Sequence, residues 1–291
     1  KTWAGLERAD VRRLASRLAI VIAFPVAAGE RHGVNDFRAF LTFDTAGEIG
    51  VALGVLYANE SQVGDKRAYM TALRDAALSD KPLRIEPAQV HFSLNRDLAA
   101  TVAGHATPER RRAVMIGAGS LGSQMAVDLA REGAFAWTIV DDDYLLPHNL
   151  VRHALFAGDL GAPKAAALAN RLTGLLDEPV QAIQSNALDP LPEQKDALDK
   201  AMSEADIIID ASASVAASRA LSDLPDCSAR RVCAFFNPAG TAVVVLIEDA
   251  TRVIKLRDLE AQYHRLVLTD ASLSGHLSTT GPGVRYTGSC R

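Results

Sequence analysis

Residues 113–152 read AVMIGAGSLGSQMAVDLAREGAFAWTIVDDDYLLPHNLVR. The first four residues form a short apolar run, which predicts a buried parallel strand. A helical pattern over residues 120–132 and a second apolar run over residues 136–140 follow it. This order of strand, turn, helix and strand is typical of a βαβ unit. Because strands and helices continue to alternate up to residue 236, the sequence predicts an α/β fold with a Rossmann-like, doubly wound parallel sheet.

Three glycines in the turn, Gly117, Gly119 and Gly122, have the G-x-G-x-x-G spacing. The first permits a tight turn, the second lets a phosphate approach the backbone, and the third lets the helix pack closely on the strand. The N–H groups and the positive dipole end of the following helix favour an anion. Asp141 lies about 20 residues further on, where a carboxylate can accept hydrogen bonds from a ribose. The spacing therefore predicts a nucleotide site.

The residues beyond Asp141 distinguish between two classes of nucleotide. An NAD-dependent oxidoreductase would explain the glycines and Asp141, but it leaves Asn149, Arg152 and Lys164 without a reason. A triphosphate uses such groups, because attack at its α-phosphorus builds negative charge that fixed cations stabilise in the transition state. The pattern therefore favours ATP, and NAD chemistry is the less favoured alternative.

Four motifs follow one another in this part of the chain: GAGSLGS, DDD, NLVRH and GAPK. Together they resemble the adenylation domain of E1-like, or ubiquitin-activating, enzymes, the group that contains the bacterial ThiF and MoeB proteins. The resemblance covers roughly residues 110–250. It implies that the C-terminal carboxylate of a ubiquitin-like protein attacks the α-phosphate of ATP, which gives an acyl-adenylate and pyrophosphate. It also implies that such domains pair as homodimers.

The resemblance implies roles for individual residues. Asp141 is expected to hold the ribose, and Asp143 is expected in the same cofactor site. Asn149 and Arg152 are expected to contact the phosphates. Lys164 is expected to neutralise charge near the point of attack. Arg152 and Lys164 are therefore the predicted catalytic residues of the adenylation step.

A magnesium ligand is less well defined. In the family the fourth strand commonly ends in Asp-x-x-Asp, whereas here Asp210 is followed by Ala-Ser-Ala, so that Ala213 replaces the second carboxylate. Asp210 is the expected Mg²⁺ ligand, with Asp142 and Asp143 as alternatives, because magnesium prefers oxygen ligands. The replacement also motivates a second function, a catalytically silent pseudo-E1 scaffold. Three cysteines cannot supply two C-x-x-C pairs, so no structural zinc is expected.

The last residues of the sequence contain a candidate nucleophile. Residues 274–291 are rich in glycine, which predicts a mobile loop. Within it, Arg285 and Arg291 would favour the thiolate of Cys290. In E1-like enzymes that go beyond adenylation, a mobile cysteine accepts the ubiquitin-like protein as a thioester. Cys290 is expected in that role, with transfer to an E2-like partner; the alternative is an incidental exposed cysteine.

The overall composition excludes several classes of protein. A net charge of −4 provides no basic surface of the kind that nucleic acid requires, so no nucleic-acid partner is expected. The apolar runs are too short to span a bilayer, so no membrane association is expected. Three cysteines, an odd number, are typical of a reducing compartment. The sequence therefore predicts a soluble, cytoplasmic protein.

The chain is predicted to contain two domains. Residues 1–107 form a small α+β linker or accessory domain, and residues 108–291 form the ATP-binding adenylation domain. The layout is similar to the linker region of bacterial fusions that join E2-like, linker and E1-like parts in antiphage ubiquitin-like conjugation systems, which predicts a role in antiviral defence. The elements predicted in and after the first domain include helices at residues 6–18 and 66–78, a hairpin turn at residues 44–48, a strand at residues 49–57 and a polar link at residues 101–112.

Overall fold

The computed structural model describes residues 11–25, 35–63, 66–71, 82–225 and 227–278. The chain divides into two compact units, Lys1–Phe92 and Ser93–Arg291. Within the described residues, no helix combines the length and the apolar character that crossing a bilayer requires.

The second unit is built on a six-stranded sheet with the strand order β11-β10-β9-β6-β7-β8. Five strands are parallel, and β11 pairs antiparallel with β10 at one edge. The strands are β6 Arg112–Ile116, β7 Ala136–Val140, β8 Gln181–Ile183, β9 Ile207–Asp210, β10 Arg230–Phe236 and β11 Val243–Ile247. The predicted Rossmann-like, doubly wound α/β fold is confirmed.

Helices cover both faces of this sheet, because successive residues of its central strands are apolar and point to opposite faces. On one face, Met115 and Ile139 pack with the helices Ser120–Arg131 and Lys164–Leu176. On the other face, Val114 packs with the helices Pro192–Glu204 and Val215–Ser222. A further helix, Leu256–Thr269, packs on β10, β11 and the helix Val215–Ser222. Burial on both faces explains why these strands are continuous apolar runs.

The first unit contains two small antiparallel sheets. Strands β1 Arg17–Pro25, β2 Asn35–Thr45 and β5 Ile85–Ala88 form one sheet in the order β1-β2-β5. Strands β3 Leu56–Val63 and β4 Lys66–Thr71 form the other. Short helices Val11–Leu14 and Ala46–Ala52 accompany them.

Three local predictions for the first unit were wrong. The predicted helix at residues 66–78 is a strand over residues 66–71, because this segment pairs with β3 and its Tyr69 packs with Leu14 and Leu56. Residues 72–81 lie outside the described part of the chain. The predicted turn at residues 44–48 is instead the start of a helix, which Thr45 and Glu48 cap reciprocally. Consequently, the predicted strand begins at Leu56 rather than at residue 49.

The predicted helix at residues 6–18 also differs from the structure. Residues 6–10 of the predicted helix lie outside the described residues. Of residues 11–18, only Val11–Leu14 are helical, and β1 already begins at Arg17. Leu18 donates its N–H to the Thr42 hydroxyl at 2.8 Å, and β1 then pairs with β2. Pairing with a distant strand therefore ends the helix earlier than the local sequence pattern indicates.

The boundary between the two units lies between Phe92 and Ser93, earlier in the sequence than the predicted boundary at residue 107. The helix Arg96–Val102 belongs to the second unit. The buried guanidinium of Arg96 donates to Glu178 Oε2 at 2.7 Å and to the carbonyl oxygens of Gly133 and Phe135. This charge-assisted network attaches the helix to the Rossmann unit. The polar residues predicted as a link, 101–112, therefore lie within the second unit.

Candidate functional site

The glycine loop, residues 117–119, joins the end of β6 to the helix Ser120–Arg131. Gly117 has φ +86°, and a Cβ placed there would lie 2.7 Å from the backbone nitrogen of Ser212. A Cβ on Gly122 would overlap the carbonyl oxygen of Gly117. A Cβ on Gly119, by contrast, would meet no atom within 4 Å. Two glycines therefore permit close packing, and the middle glycine leaves the helix N-terminus open to an anion.

Asp141 connects this loop to the end of β7. Its Oδ2 accepts a hydrogen bond from the Ala118 N–H at 2.7 Å, and its Oδ1 accepts one from the Asp143 N–H at 2.9 Å. Burial raises the pKa of the Asp141 carboxyl above its usual 3.8, although both hydrogen bonds and the nearby Lys164 act in the opposite direction. Each carboxylate oxygen can accept a further hydrogen bond, so the predicted contact with a ribose is chemically compatible with this arrangement.

Lys164 begins the helix Lys164–Leu176 and lies at the same edge of the sheet. Its side chain is only 9% exposed, and its Nζ donates to Asp143 Oδ2 at 2.7 Å. The Asp143 side chain is 70% exposed. An exposed carboxylate is a readily displaced partner, since water competes for it. The buried ammonium is therefore held in place and can exchange Asp143 for another anion.

The NLVRH segment, residues 149–153, is docked on the first turns of the glycine-loop helix. Ser120 Oγ donates to the carbonyl oxygen of Arg152 at 3.2 Å, and the Ala154 N–H donates to Ser123 Oγ at 3.1 Å. Asn149 Oδ1 accepts from the Leu146 N–H at 2.8 Å and caps a short 3₁₀ helix, Pro147–Val151. These contacts bring the predicted phosphate-binding residues beside the glycine loop.

The side chain of Arg152 is exposed, and its guanidinium makes no hydrogen bond or ion pair with the described part of the chain. Other arginines of this unit pair with carboxylates, as Arg171 does with Asp159 at 3.0 Å. The backbone of Arg152 lies beside the N-terminus of this helix, and its unpaired guanidinium is free to pair with an anion. The arrangement is suited to bind a polyanion.

His153 is a residue of this site that the sequence reasoning missed. It is 7% exposed, and its Nε2 lies 2.6 Å from the carbonyl oxygen of Ala118. Its Nδ1 accepts a hydrogen bond from the Leu155 N–H at 3.1 Å. Burial lowers the pKa of the imidazole below its usual 6.5. The only signal in the sequence was its position directly after Arg152 in the NLVRH motif.

A mostly apolar cavity of about 210 Å³ lies beside the end of β9. The helices Val215–Ser222 and Leu256–Thr269 and strands β10 and β11 contribute to its wall. Ala213 lines the cavity, and its neighbour Ser212 is the residue against which Gly117 packs. The residue that lines the cavity therefore directly follows a residue that contacts the glycine loop.

Residues 94–251, more than half of the chain, match the ThiF family. The chain belongs to the ThiF family. This confirms the resemblance that the four motifs indicated, and it places the chain among the E1-like adenylyltransferases. The matched range contains the glycine loop, the NLVRH segment and Lys164.

Relatives of this ThiF-family chain include two named ATP-dependent ubiquitin transferase-like protein Cap2. The protein from Enterobacter hormaechei is 33% identical over an alignment of 179 residues that covers 52% of this chain and 29% of that protein. The protein from Vibrio cholerae is 34% identical over an alignment of 151 residues that covers 48% of this chain and 24% of that protein. An uncharacterized protein of Sinorhizobium fredii, y4qC, is 31% identical over an alignment of 134 residues that covers 44% of this chain and 23% of that protein. The matches thus span less than a third of each of these relatives.

Solved structures similar to this ThiF-family chain include E. coli MccB. The complex of MccB with MccA-N7isoASN gives a TM-score of 0.39 at 23% identity, covering 48% of this chain and 39% of that one. The complex of MccB with ATP gives a TM-score of 0.37 at 22% identity, covering 48% and 40%. The fold assignment rests on the strand order and strand directions of the six-stranded sheet.

Membership of the ThiF family implies a magnesium ion that accompanies ATP, but Asp210 does not fit that ion as it is placed. The carboxylate is 1% exposed, and its Oδ1 accepts from Ser212 N and Oγ at 3.0 and 2.6 Å. Its Oδ2 lies 3.7 Å from the thiol of Cys233. Burial raises the pKa of the Asp210 carboxyl. Nor do the described residues include three or more His, Cys, Asp or Glu side chains grouped to hold a metal.

The remaining predicted site residue of this ThiF-family chain, Cys290, lies outside the described residues, as do Arg285 and Arg291. Its role as a thioester nucleophile therefore stays a prediction. The two described cysteines, Cys227 and Cys233, are both buried and carry free thiols. Burial raises the pKa of the Cys233 thiol to about 12, which makes it a poor nucleophile at neutral pH.

Proposed function

We propose that this ThiF-family chain is the adenylation part of an E1-like enzyme. ATP binds at the glycine loop, and the C-terminal carboxylate of a ubiquitin-like protein attacks its α-phosphate. The observation that carries the proposal is the juxtaposition of an open helix N-terminus, the unpaired Arg152 and the buried Lys164 at one edge of the sheet. Ligands of open α/β sheets bind at this edge, outside the carboxyl ends of the strands.

The reaction exchanges one bond at phosphorus for another. A carboxylate oxygen of the substrate bonds to the α-phosphorus while the bond to the bridging oxygen breaks. The bridging oxygen leaves with its electron pair as part of pyrophosphate, and the acyl-adenylate remains. Negative charge grows on the phosphoryl oxygens and on the leaving group, and fixed cations stabilise this charge more than they stabilise the ground state.

The side chains of the site divide this work. Arg152 stabilises the phosphates, because its guanidinium is not already neutralised by a carboxylate. Lys164 exchanges the exposed Asp143 for a phosphoryl oxygen and keeps its charge close to the reacting centre. Asn149 uses its Oδ1 within its own turn, so its Nδ2 group is the part that can donate to a phosphate. Asp141 accepts hydrogen bonds from the ribose.

The apolar cavity beside Ala213 is the proposed binding site for the tail of the acyl substrate. A flexible C-terminal tail of small and apolar residues would bury apolar surface there while its carboxylate reaches the α-phosphate. The names of the Cap2 relatives support a ubiquitin-like substrate over other carboxylates. Thioester formation on Cys290, transfer to an E2-like partner, homodimer formation and a role in antiviral defence extend this proposal.

ATP–pyrophosphate exchange tests the proposal. The purified protein is incubated with labelled pyrophosphate, ATP and a panel of ubiquitin-like proteins, with and without Mg²⁺. Exchange that depends on one panel member is the expected result. Arg152→Ala should lower that exchange about 100-fold, since loss of one charged group that stabilises the transition state costs this much. Arg131→Ala, at the far end of the glycine-loop helix, is the matched control and should retain exchange.

A second function, a silent pseudo-E1 scaffold, is favoured by one observation, the enclosed Asp210 together with Ala213 in place of a carboxylate. ATP binding without exchange for any panel member would support the scaffold and overturn the adenylation proposal. Binding of NADH in preference to ATP, followed by fluorescence titration, would overturn both.

A further inference from the structure

The imidazole of His153 joins the NLVRH segment to the glycine loop. Its two nitrogens bond to backbone groups on either side, to the carbonyl oxygen of Ala118 and to the N–H of Leu155. Because Nδ1 accepts, the ring proton must lie on Nε2, which donates to Ala118. The arrangement therefore requires one tautomer of the neutral ring.

Both backbone polar groups of Ala118 are hydrogen-bonded to side chains. Its N–H donates to Asp141 Oδ2 at 2.7 Å, and its carbonyl oxygen accepts from His153 at 2.6 Å. The residues on either side of it are glycines, whose backbones are the most costly in entropy to fix. Among the described residues, Asp141 and His153 are the hydrogen-bond partners of the N–H and carbonyl groups of Ala118, so they orient its peptide groups.

We propose that His153 is a positioning residue that holds the glycine loop in its nucleotide-binding shape only while the imidazole is neutral, so that ATP binding weakens when the ring takes up a second proton. This inference rests on the proposed function, because it concerns the same loop. A protonated ring would carry N–H on both nitrogens. The Nδ1–H would then face the Leu155 N–H, and two donors repel each other.

The charged groups around the ring act in both directions. Lys164 disfavours the imidazolium and Asp159 favours it. Arg152 is the residue before His153 in the chain. Asp141 is hydrogen-bonded to Ala118, the residue whose carbonyl oxygen contacts the ring. Burial is the largest influence and also disfavours the charge, so the pKa of His153 lies below 6.5. The ring is therefore neutral at neutral pH, and the change in ATP binding falls below pH 6.5.

Two variants separate a hydrogen-bonding role from a space-filling one. In His153→Gln the amide can donate to Ala118 and accept from Leu155, but it does not titrate. In His153→Ala both bonds are lost. We expect the wild-type protein to lose about tenfold in ATP affinity between about pH 7.5 and a pH below the pKa of His153, the loss that leaving one buried N–H donor without its partner produces. The His153→Gln variant should show at most a threefold loss, and His153→Ala should bind weakly at both pH values.

The measurement is isothermal titration with ATP at each pH, with circular dichroism to confirm that each variant is folded. ATP itself titrates in this range, and the Gln variant corrects for that contribution. Equal pH dependence in wild type and His153→Gln would overturn the role of His153, whereas absence of ATP binding at every pH would instead overturn the proposed function. Nitrogen NMR of the wild-type ring gives a second test: a proton on Nδ1 at neutral pH contradicts the proposal.

Discussion

At the end of β6 the chain is open to an anion, whereas at the end of β9, the adjacent strand, a carboxylate is enclosed. The glycine loop presents the first turn of a long helix, with Arg152 exposed and Lys164 paired to an exposed partner. Asp210 is covered and satisfied by Ser212 within its own turn. Both strand ends lie at the same edge of the sheet. The difference shows that position in the fold brings residues to a site, but their immediate hydrogen-bond partners decide what they can bind.

The largest effect is expected from a substitution at Gly122, which packs against the glycine loop. Gly122→Ala would force a methyl group into the carbonyl oxygen of Gly117. We expect the free energy of unfolding to fall by about 3 kcal/mol, as overpacking of a close backbone contact costs, together with loss of ATP binding. Urea unfolding and ATP titration measure the two effects. Gly174→Ala is the matched control: its added methyl group meets no atom within 4 Å, and a helical alanine should stabilise by up to about 1 kcal/mol.

The second largest effect is expected at Lys164, on pyrophosphate exchange. Lys164→Met keeps the buried chain length but removes the charge, and we expect about a 100-fold loss of pyrophosphate exchange. Asp143→Asn removes only the displaceable partner, so exchange should change by less than about fivefold. An equal loss in both variants would show that Asp143 is itself required and would contradict its description as a displaceable partner.

The smallest effect is expected at the enclosed end. Burial raises the pKa of Asp210 above 3.8, so the native state binds its proton more tightly than the unfolded chain does. Stability from this group is therefore greatest at low pH and is lost as pH rises through the raised pKa. Asp210→Asn removes that loss and keeps an acceptor for Ser212. At about pH 7 its free energy of unfolding should lie within about 1 kcal/mol of wild type, or above it.

The same variant tests whether Asp210 holds magnesium. If the carboxylate stays enclosed, the Mg²⁺ concentration that gives half-maximal exchange should be unchanged in Asp210→Asn. A large increase in that concentration would show that the end of β9 opens when ATP binds. The contrast between the two strand ends would then describe only the ligand-free protein.

The sequence predicted the Rossmann unit well because its signals are local. The glycine spacing, the apolar strands and the acid after β7 all lie within residues 113–152 and depend on short-range geometry. The first unit was predicted less well, because residues 66–71 have no local signal that outweighs a helical pattern. Their pairing with β3 and the packing of Tyr69 depend on residues elsewhere in the chain. The attachment of the helix Arg96–Val102 to the second unit likewise involves a residue far along the chain, because Arg96 pairs with Glu178.

The amino-acid sequence is sufficient to identify the family, the glycine loop and the set of charged residues that surround it. Residue types and their spacing are enough for these conclusions, since backbone freedom and side-chain charge belong to each residue individually. Which of these charges are exposed, paired or enclosed depends on tertiary packing: Arg152 is exposed, Lys164 is paired and Asp210 is enclosed. The tertiary structure also revealed His153. Hydrogen-bond partners and burial depend on segments that are distant in sequence and close in space, and a local sequence pattern does not specify which segments these are.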